Sequence, residues 1–285
     1  MGFIISGFSD EIATDFQKQL EVVKSLNMDY IEIRGVNGRS IVEHTLEEVH
    51  DIKRQLDIAN IKISAIASPI GKIKITDEFE PHFELFKHTI DIANILMCKN
   101  IRLFSFFVKK GEAGRYRVEV MNRMKKFCDY VEDKDILLLH ENEKDIFGDV
   151  PKRCLDIVKT MNSDKLKLIF DPANFIQCQV ETYPKAYELL KDEVVYYHMK
   201  DALLINGNVV PSGYGDGHIP EIIEELIKAN YHGFLSLEPH LGYFEGFNQL
   251  EGNKDALSFE EKSDASKFKL AYDSLQVILE DKINE

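Results

Sequence analysis

Short apolar runs alternate with amphipathic stretches along most of the chain, and this alternation constrains the fold more than any other feature. There are eight such runs, and most of them precede a segment with apolar residues at helical spacing. The runs begin at Phe3, Tyr30, Ile61, Ile101, Ile136, Leu166, Val194 and Phe234. Largely apolar runs without strict alternation are typical of parallel strands that are covered on both faces. Eight strand–helix units in about 250 residues predict a (β/α)8 TIM barrel.

A doubly wound open sheet is the main alternative to the barrel. No GxGxxG sequence follows a strand and no Walker sequence is present, so the nucleotide-binding forms of that sheet are disfavoured. No break in composition divides the chain, and we predict one domain over residues 1–285. The barrel would span about 3–240, with a C-terminal loop and an extra helix over 241–285. The segment after Glu238 would be either an interface or a cover over the outside of the barrel.

The charge and cysteine content narrow the class of protein. The chain has 35 Lys and Arg against 49 Asp and Glu, a formal net charge of −14, which argues against nucleic acid as a partner. The four cysteines form no CxxC pair, so we interpret them as small buried residues. No run approaches about 18 apolar residues and the start lacks the apolar core of a signal peptide. We therefore expect no membrane contact and a cytoplasmic location.

Four of the later runs each end in a side chain that can bind a metal. These side chains are Glu141, Asp171, His198 and Glu238. In a barrel, the carboxyl ends of the strands meet at one rim, so the four would converge on one divalent cation. Three carboxylates and one imidazole suit Mn²⁺, Mg²⁺, Co²⁺ or Zn²⁺ and differ from a thiolate-rich structural zinc site. Taken singly, a strand-end carboxylate could instead cap a helix, and a histidine could be a hydrogen-bonded core residue.

Further polar residues fall at the same predicted rim and are candidates for substrate contact. They are Glu32, Arg34, Ser68, Arg102, Asn174 and Lys200. Glu32 and Arg34 are two residues apart on a strand and could instead pair with each other, while Lys200 could be a solvated loop residue. His140 should point away from Glu141, because neighbours on a strand face opposite sides.

Two other stretches near the rim stay open to interpretation. Asn142 and Glu143 follow the strand directly, and either could support the ligands or contact the substrate. The segment Gly213-Tyr-Gly-Asp-Gly217 has the glycines of a phosphate cradle but lacks its Lys-Ser/Thr. We interpret this segment as a turn that closes over the site.

Six short motifs, in this order and spacing, resemble the xylose isomerase-like TIM barrel superfamily, specifically its sugar phosphate isomerase/epimerase group (the AP endonuclease 2 family). The motifs are Tyr30-Ile-Glu-Ile33, Leu139-His-Glu-Asn142, Phe170-Asp-Pro-Ala-Asn174, His198-Met-Lys-Asp201, Gly213-Tyr-Gly-Asp216 and Leu235-Ser-Leu-Glu238. The resemblance implies that Glu141, Asp171, His198 and Glu238 are the metal ligands. It also implies that Glu141 and Glu238 are catalytic and move the protons.

The resemblance implies a metal-dependent isomerase or epimerase of a small carbohydrate or sugar phosphate, acting through an enediolate, and a homodimer or homotetramer. This chain has Asn174 where the ketose 3-epimerases carry a histidine, and Leu203-Leu-Ile205 where they carry an arginine. The early-strand histidines of endonuclease IV are missing, since the third and fourth strands end in Ser68-Pro69 and Ser105-Phe106. A hydrolase or dehydratase acting on a related polyol, or a non-catalytic sugar-binding barrel, are the alternatives.

Overall fold

Eight parallel strands form one sheet that closes almost completely on itself. The structure is a computed structural model that describes residues 2–243 and 262–284. The strands are β1 (Ile4–Gly7), β2 (Tyr30–Ile33), β3 (Lys62–Ile66), β4 (Asn100–Leu103), β5 (Leu137–Glu141), β6 (Leu166–Phe170), β7 (Val194–Met199) and β8 (Phe234–Leu237). Their order in the sheet is β1, β8, β7, β6, β5, β4, β3, β2, and a bridge between Phe8 and Glu32 joins the two ends. The prediction of a (β/α)8 barrel is confirmed.

Helices surround the strands, and several begin at caps that the sequence supplies. They are α1 (Phe16–Ser25), α2 (Leu46–Ala59), α3 (Glu80–Ile95), α4 (Ala113–Val131), α5 (Pro151–Met161), α6 (Pro172–Gln177), α7 (Tyr187–Leu190), α8 (Ile219–Lys228) and α9 (Ala265–Asn284). The Asp15 carboxylate caps α1 by accepting from the N–H of Lys18, and Thr45 with Glu48 forms a capping box at α2. No helix in the described part of the chain is long and apolar enough to cross a bilayer.

The structure adds short elements that the sequence did not indicate. Helix α6 directly follows Asp171, and the two-residue strands Gly35–Val36 with Arg39–Ser40 and Asp201–Ala202 with Val209–Val210 form small hairpins. Short 3₁₀ turns cover Ser9–Glu11 and Ile41–Glu43. The sequence after Pro184 predicts a helix from Pro184 to Leu190. A π-type turn over Thr182–Ala186 stands at its start, because Tyr183 is extended, and the regular helix is α7.

The inside of the barrel is filled by a layer of side chains directly below the predicted ligands. Leu139, Ile169 and Tyr196 pack with Ala65 in this layer and are almost completely buried. Each of the first three lies two residues before Glu141, Asp171 or His198 in the sequence. Residues two apart on a strand share a face, so the alternation that buries this layer also turns the three ligands into the barrel mouth.

The C-terminal helix α9 covers one side of the barrel. Phe268 and Leu275 are fully buried, and the ring of Phe268 packs against Gly7, where an added Cβ would lie 2.8 Å from its Cζ atom. Through this contact, the apolar face of α9 acts as a cover over the outside of the barrel. Residues 244–261 of the predicted C-terminal loop lie outside the described residues, and the single domain over 1–285 stays a prediction. All four cysteines are free and three of them are buried, as expected.

Candidate metal centre and active site

Three carboxylates converge on one nitrogen of His198. Its Nδ1 atom lies 3.4 Å from Oε1 of Glu141, 3.5 Å from Oδ2 of Asp171 and 3.4 Å from Oε2 of Glu238. All four side chains are buried, and one donor atom from each lies within 4.8 Å of the others. The structure therefore brings together all four residues that the strand ends predict as ligands.

The donor atoms of this cluster fit a divalent cation. Nδ1 of His198 is fully buried and makes no hydrogen bond of normal geometry with any described residue. A buried imidazole nitrogen without a partner is costly, and three surrounding carboxylate oxygens are the donors that hard or borderline divalent metals prefer. Burial alone would lower the pKa of His198, but Glu32 and Glu141 outweigh it and hold that pKa well above its ordinary value. The cluster is thus strongly attractive to positive charge.

Asp171 combines the two roles that the sequence left as alternatives. Its Oδ1 atom caps helix α6 by accepting a hydrogen bond from the N–H of Asn174 at 2.9 Å, while Oδ2 faces His198. Burial raises the pKa of Asp171 to about 6, although Lys200 opposes that rise. The side chain of Asn142 holds the backbone of Asp171 at both ends, since it donates to the carbonyl and accepts from the N–H, each at 2.9 Å.

Asn174 and Arg102 orient Glu141 rather than standing free in the pocket. The amide nitrogen of Asn174 donates to Oε1 of Glu141 at 2.9 Å and to the carbonyl of Asn142 at 3.0 Å. Arg102 donates through Nη1 to the other oxygen of Glu141 at 3.0 Å, and the same atom lies 3.8 Å from Glu238. Both oxygens of Glu141 are therefore fixed by the protein.

Lys200 is buried between two of the predicted ligands, which excludes the solvated loop position. Its Nζ atom lies 2.8 Å from Oδ2 of Asp171 and 2.8 Å from Oε2 of Glu238. Burial opposes charge on this lysine, but Asp171 and Glu238 outweigh it and hold the pKa of Lys200 well above its ordinary value. A fixed ammonium group thus offsets part of the negative charge of the cluster.

Arg34 supports Glu238 from the far side and does not pair with Glu32. It donates to the two oxygens of Asp10 at 2.8 and 3.0 Å and to Glu11 at 3.1 Å, and its Nη1 lies 3.5 Å from Oε1 of Glu238. The pair allowed by spacing is not formed because β2 shifts register at Glu32 and ends at Ile33, so Arg34 lies beyond the strand and reaches the loop after β1.

The sequence interpretation missed three charged or titratable members of this support: Asp10, Glu11 and His240. The backbone N–H of His240 donates to Glu11 at 2.7 Å, and its ring lies 3.4 Å from Glu238. A usable signal existed. Asp10 and Glu11 follow the first strand, and His240 is two residues after Glu238, so the strand-end rule that found the ligands also applies to them.

Ser68 and His140 are occupied outside the ligand cluster. The hydroxyl of Ser68 donates to the carbonyl of Arg102 at 2.5 Å and accepts from the N–H of Ile70, so its polar capacity is used by the backbone. The Nε2 atom of His140 lies 2.9 Å from the hydroxyl of Ser105, on the side of the strand opposite to Glu141, as the alternation predicts. Glu32 lies one layer below His198, where Tyr196 and Ser236 donate to it.

Two loops at the rim are held by carboxylates. Glu143 pairs with Lys72 at 3.1 Å, and the ammonium group of Lys72 stands 4.5 Å from the ring centre of Phe104. The glycine-rich turn wraps around Asp201, whose carboxylate accepts from three glycine N–H groups, those of Gly213, Gly215 and Gly217, at 2.8–3.0 Å. This turn therefore encloses a carboxylate of the protein itself, and its closing over the site stays a prediction.

Comparisons with known proteins agree with the barrel fold described above. The family model described as xylose isomerase-like TIM barrel matches residues 20–261. No curated protein sequence matches the chain. The solved structures that resemble it include a D-allulose 3-epimerase from Methylomonas sp. (TM-score 0.75, 16% identity, 98% of each chain covered) and a xylose isomerase domain protein from Planctomyces limnophilus (0.73, 16%, 100% of each). A probable 3-DHS dehydratase from Bacillus anthracis also matches (0.69, 20%, 95% of this chain and 99% of that one). At these identities the structural likeness shows the fold alone.

Proposed function

The chain belongs to the xylose isomerase-like TIM barrel family, and on that premise we propose that it is a divalent-metal-dependent isomerase or epimerase of a sugar or sugar phosphate. The observation that carries the proposal is the convergence of Glu141, Asp171 and Glu238 on Nδ1 of His198. This arrangement offers one cation position with two glutamates beside it. A similar structure named a D-allulose 3-epimerase supports the same reaction class.

The proposed chemistry is proton transfer at a carbon next to a carbonyl. A divalent cation held by Glu141, Asp171, His198 and Glu238 would polarise that carbonyl as a Lewis acid. One glutamate removes the proton, and the other returns a proton from the opposite face to give the epimer. Return of the proton to the former carbonyl carbon, with transfer of the neighbouring hydroxyl proton to the carbonyl oxygen, would give the isomer. A positioned carboxylate contributes about 10²–10⁴-fold to such a step.

Glu141 and Glu238 are both placed to act as the first proton acceptor. Burial alone would raise the pKa of Glu238, but Lys200, His240 and His198 together outweigh the burial and hold that pKa well below its ordinary value. The carboxylate is therefore ionised at neutral pH. Arg102 is close to both glutamates, and Lys200 touches Glu238, so both cations are placed to offset negative charge that develops on the substrate.

The substrate class is kept broad because two epimerase positions differ. Asn174 holds Glu141 by a 2.9 Å hydrogen bond, and Leu204 and Ile205 lie exposed on the hairpin loop where the epimerases carry an arginine. We therefore propose a ketose, a ketose phosphate or a related polyol, and not specifically tagatose or psicose.

A dehydratase is the second candidate function. Lys200 touches two site carboxylates, and in that position an ammonium group could protonate a departing hydroxyl. A similar structure is named a probable 3-DHS dehydratase, which supports the candidate. The raised pKa of Lys200 makes it a weak acid, however, and this favours the isomerase or epimerase.

Deuterium exchange distinguishes these functions. The protein is incubated with Mn²⁺ and a panel of ketoses and ketose phosphates in D2O, and the products are followed by NMR. Carbon-bound deuterium without loss of water is expected for the proposed function. Loss of water identifies a dehydratase, and addition of water without exchange identifies a hydrolase. Binding without any of these changes identifies a sugar-binding protein and overturns the proposal. Glu21→Gln, a substitution at an exposed position of α1, is the control variant.

A further inference from the structure

Glu32 is fully buried inside the barrel and faces the second nitrogen of His198. Its Oε2 atom lies at an ion-pair distance of 3.3 Å from Nε2 of His198, on the side opposite to the three carboxylates that surround Nδ1. Like Nδ1, Nε2 makes no hydrogen bond of normal geometry with any described residue. The two nitrogens of one imidazole ring thus face two separate carboxylate environments. In the sequence, Glu32 was a candidate for substrate contact, but its position below His198 places the ring between Glu32 and the barrel mouth.

The carboxylate of Glu32 is held in place by a chain of buried hydroxyl groups. The hydroxyls of Tyr196 and Ser236 donate to its Oε2 atom at 2.8 and 2.7 Å. The Tyr196 hydroxyl in turn lies 2.9 Å from that of Ser64, which lies 2.6 Å from that of Ser6. Each of the four residues that carry these hydroxyl groups is at most 1% exposed. The position of Oε2 is therefore fixed from below, independently of the ligand cluster.

No Lys or Arg within the described residues forms an ion pair with Glu32. In the part of the chain that the structure describes, His198 is the one basic group within 4.0 Å of Glu32, and the second oxygen of Glu32 is buried without a hydrogen-bond partner. A buried carboxylate in this state costs stability that a neutral side chain of the same shape would not cost. We therefore ascribe the role of the Glu32 carboxylate to its contact with His198.

The ring of His198 is also confined by its aromatic neighbours. Phe8 packs edge-on against it at 5.3 Å between ring centres, and Tyr196 does so at 5.9 Å. These rings set the plane of the imidazole but not the position of its proton. A neutral imidazole carries one N–H and one lone pair. With a cation among the three carboxylates around Nδ1, the Oε2 atom of Glu32 would be the acceptor left for the N–H, on Nε2.

We propose that Glu32 is a positioning residue that accepts the Nε2–H of His198 and thereby turns the Nδ1 lone pair toward the cation site. The proposal rests on the metal site of the proposed function and adds a role for a residue that contacts neither cation nor substrate. Loss of such a supporting carboxylate typically weakens metal binding by about 10–100-fold.

The test compares Glu32→Gln with the wild-type protein by Mn²⁺ titration calorimetry. The amide keeps the shape and an oxygen for Tyr196 and Ser236 but loses the charge. We expect Mn²⁺ to bind about 10–100-fold more weakly, while the midpoint of thermal unfolding without metal is unchanged or higher. In the Zn²⁺-loaded wild type, NMR of the ring nitrogens should show a protonated Nε2. Glu21→Gln, the same change at an exposed carboxylate in α1, should bind Mn²⁺ as the wild type does.

Two further results keep the test decisive. If Glu32→Gln does not fold, Glu32→Asp serves, because it keeps the charge but withdraws the carboxylate from Nε2, and it should also bind Mn²⁺ more weakly. Wild-type affinity in whichever variant folds overturns the positioning role alone. Absence of Mn²⁺ binding by the wild type overturns both this role and the proposed metal site.

Discussion

The ammonium group of Lys200 lies 2.8 Å from Oε2 of Glu238, and both side chains are almost completely buried. The same nitrogen is 2.8 Å from Oδ2 of Asp171. Both oxygens face Nδ1 of His198, so the lysine and a bound divalent cation would share the same carboxylates. The stability of the fold and the affinity of the site for metal are therefore linked through Lys200.

Substitution Lys200→Met should make the stability of the protein depend more strongly on metal. Breaking a buried ion pair leaves uncompensated charge and typically costs about 3–5 kcal/mol of unfolding free energy. A saturating divalent cation replaces that charge and should restore part of the loss. Urea denaturation with a chelator measures the loss of unfolding free energy, and urea denaturation with Mn²⁺ measures how much of that loss is restored. The exposed Lys159, which pairs with Glu193, provides the control Lys159→Met. Equal stabilisation of Lys200→Met and wild type by Mn²⁺ would contradict the prediction.

Substitution Glu238→Gln should abolish turnover while the fold survives. The amide has the same size and keeps an oxygen that can accept from Lys200, so the contact survives without its ionic part. Loss of the proton acceptor alone costs about 10²–10⁴-fold in rate, and loss of a ligand adds to it. Deuterium incorporation measures activity, and circular dichroism checks the fold. The prediction fails if the variant, or the chelated wild type, keeps full activity.

The fold and the ligand cluster were predictable because both follow from local pattern. Apolar runs mark buried parallel strands, and the ends of such strands meet at one rim, which was enough to bring Asp171 and Glu238 together. The support around the cluster was not predictable in the same way. The contact between Arg34 and Glu238 joins residues 204 positions apart, and only the closed barrel makes them neighbours.

The failed pairing of Glu32 with Arg34 shows where local rules stop. Alternation holds within a strand, and it placed His140 and Glu141 on opposite sides correctly. It does not extend past the end of β2 at Ile33, where the chain turns toward the loop after β1. Helix α6 was not predicted for a related reason, since its six residues are too few to show a helical period.

Stability should fall in acid partly because of His82. Its Nε2 atom accepts a hydrogen bond from the N–H of Gly71 at 2.7 Å, which requires the neutral ring. Burial, together with Arg123, lowers the pKa of His82 from 6.5 to about 4. Above pH 6.5, the ring is neutral in both the folded and the unfolded protein. Between pH 6.5 and 4, only the unfolded chain takes up the proton, so up to about 3 kcal/mol of stability is lost.

Substitution His82→Gln offers the matched comparison for this pH dependence. The glutamine carbonyl can accept from Gly71 but does not titrate between pH 4 and 7. Urea unfolding at several pH values should show a smaller loss of stability on acidification for the variant than for the wild type. Parallel pH profiles for the two proteins would mean that His82 does not contribute.

Substitution Asn174→Ala should weaken metal binding through Glu141. The Asn174 amide donates to Oε1 of Glu141, the same oxygen that lies 3.4 Å from Nδ1 of His198. Without this donor the carboxylate is held only through its other oxygen by Arg102, and we expect about 10–100-fold weaker Mn²⁺ binding by calorimetry. Gln177→Ala, in the same helix but away from the ligands, is the control.

The rate at saturating Mn²⁺ then separates the two roles considered for Asn174. Helix α6 keeps its cap in the variant, because Asp171 accepts from the backbone N–H of residue 174 and not from its side chain. If Asn174 acts only by orienting Glu141, excess metal should restore deuterium exchange close to the wild-type rate. A defect that persists at saturating metal, with a raised KM for the sugar, would instead show the substrate contact that the sequence indicated.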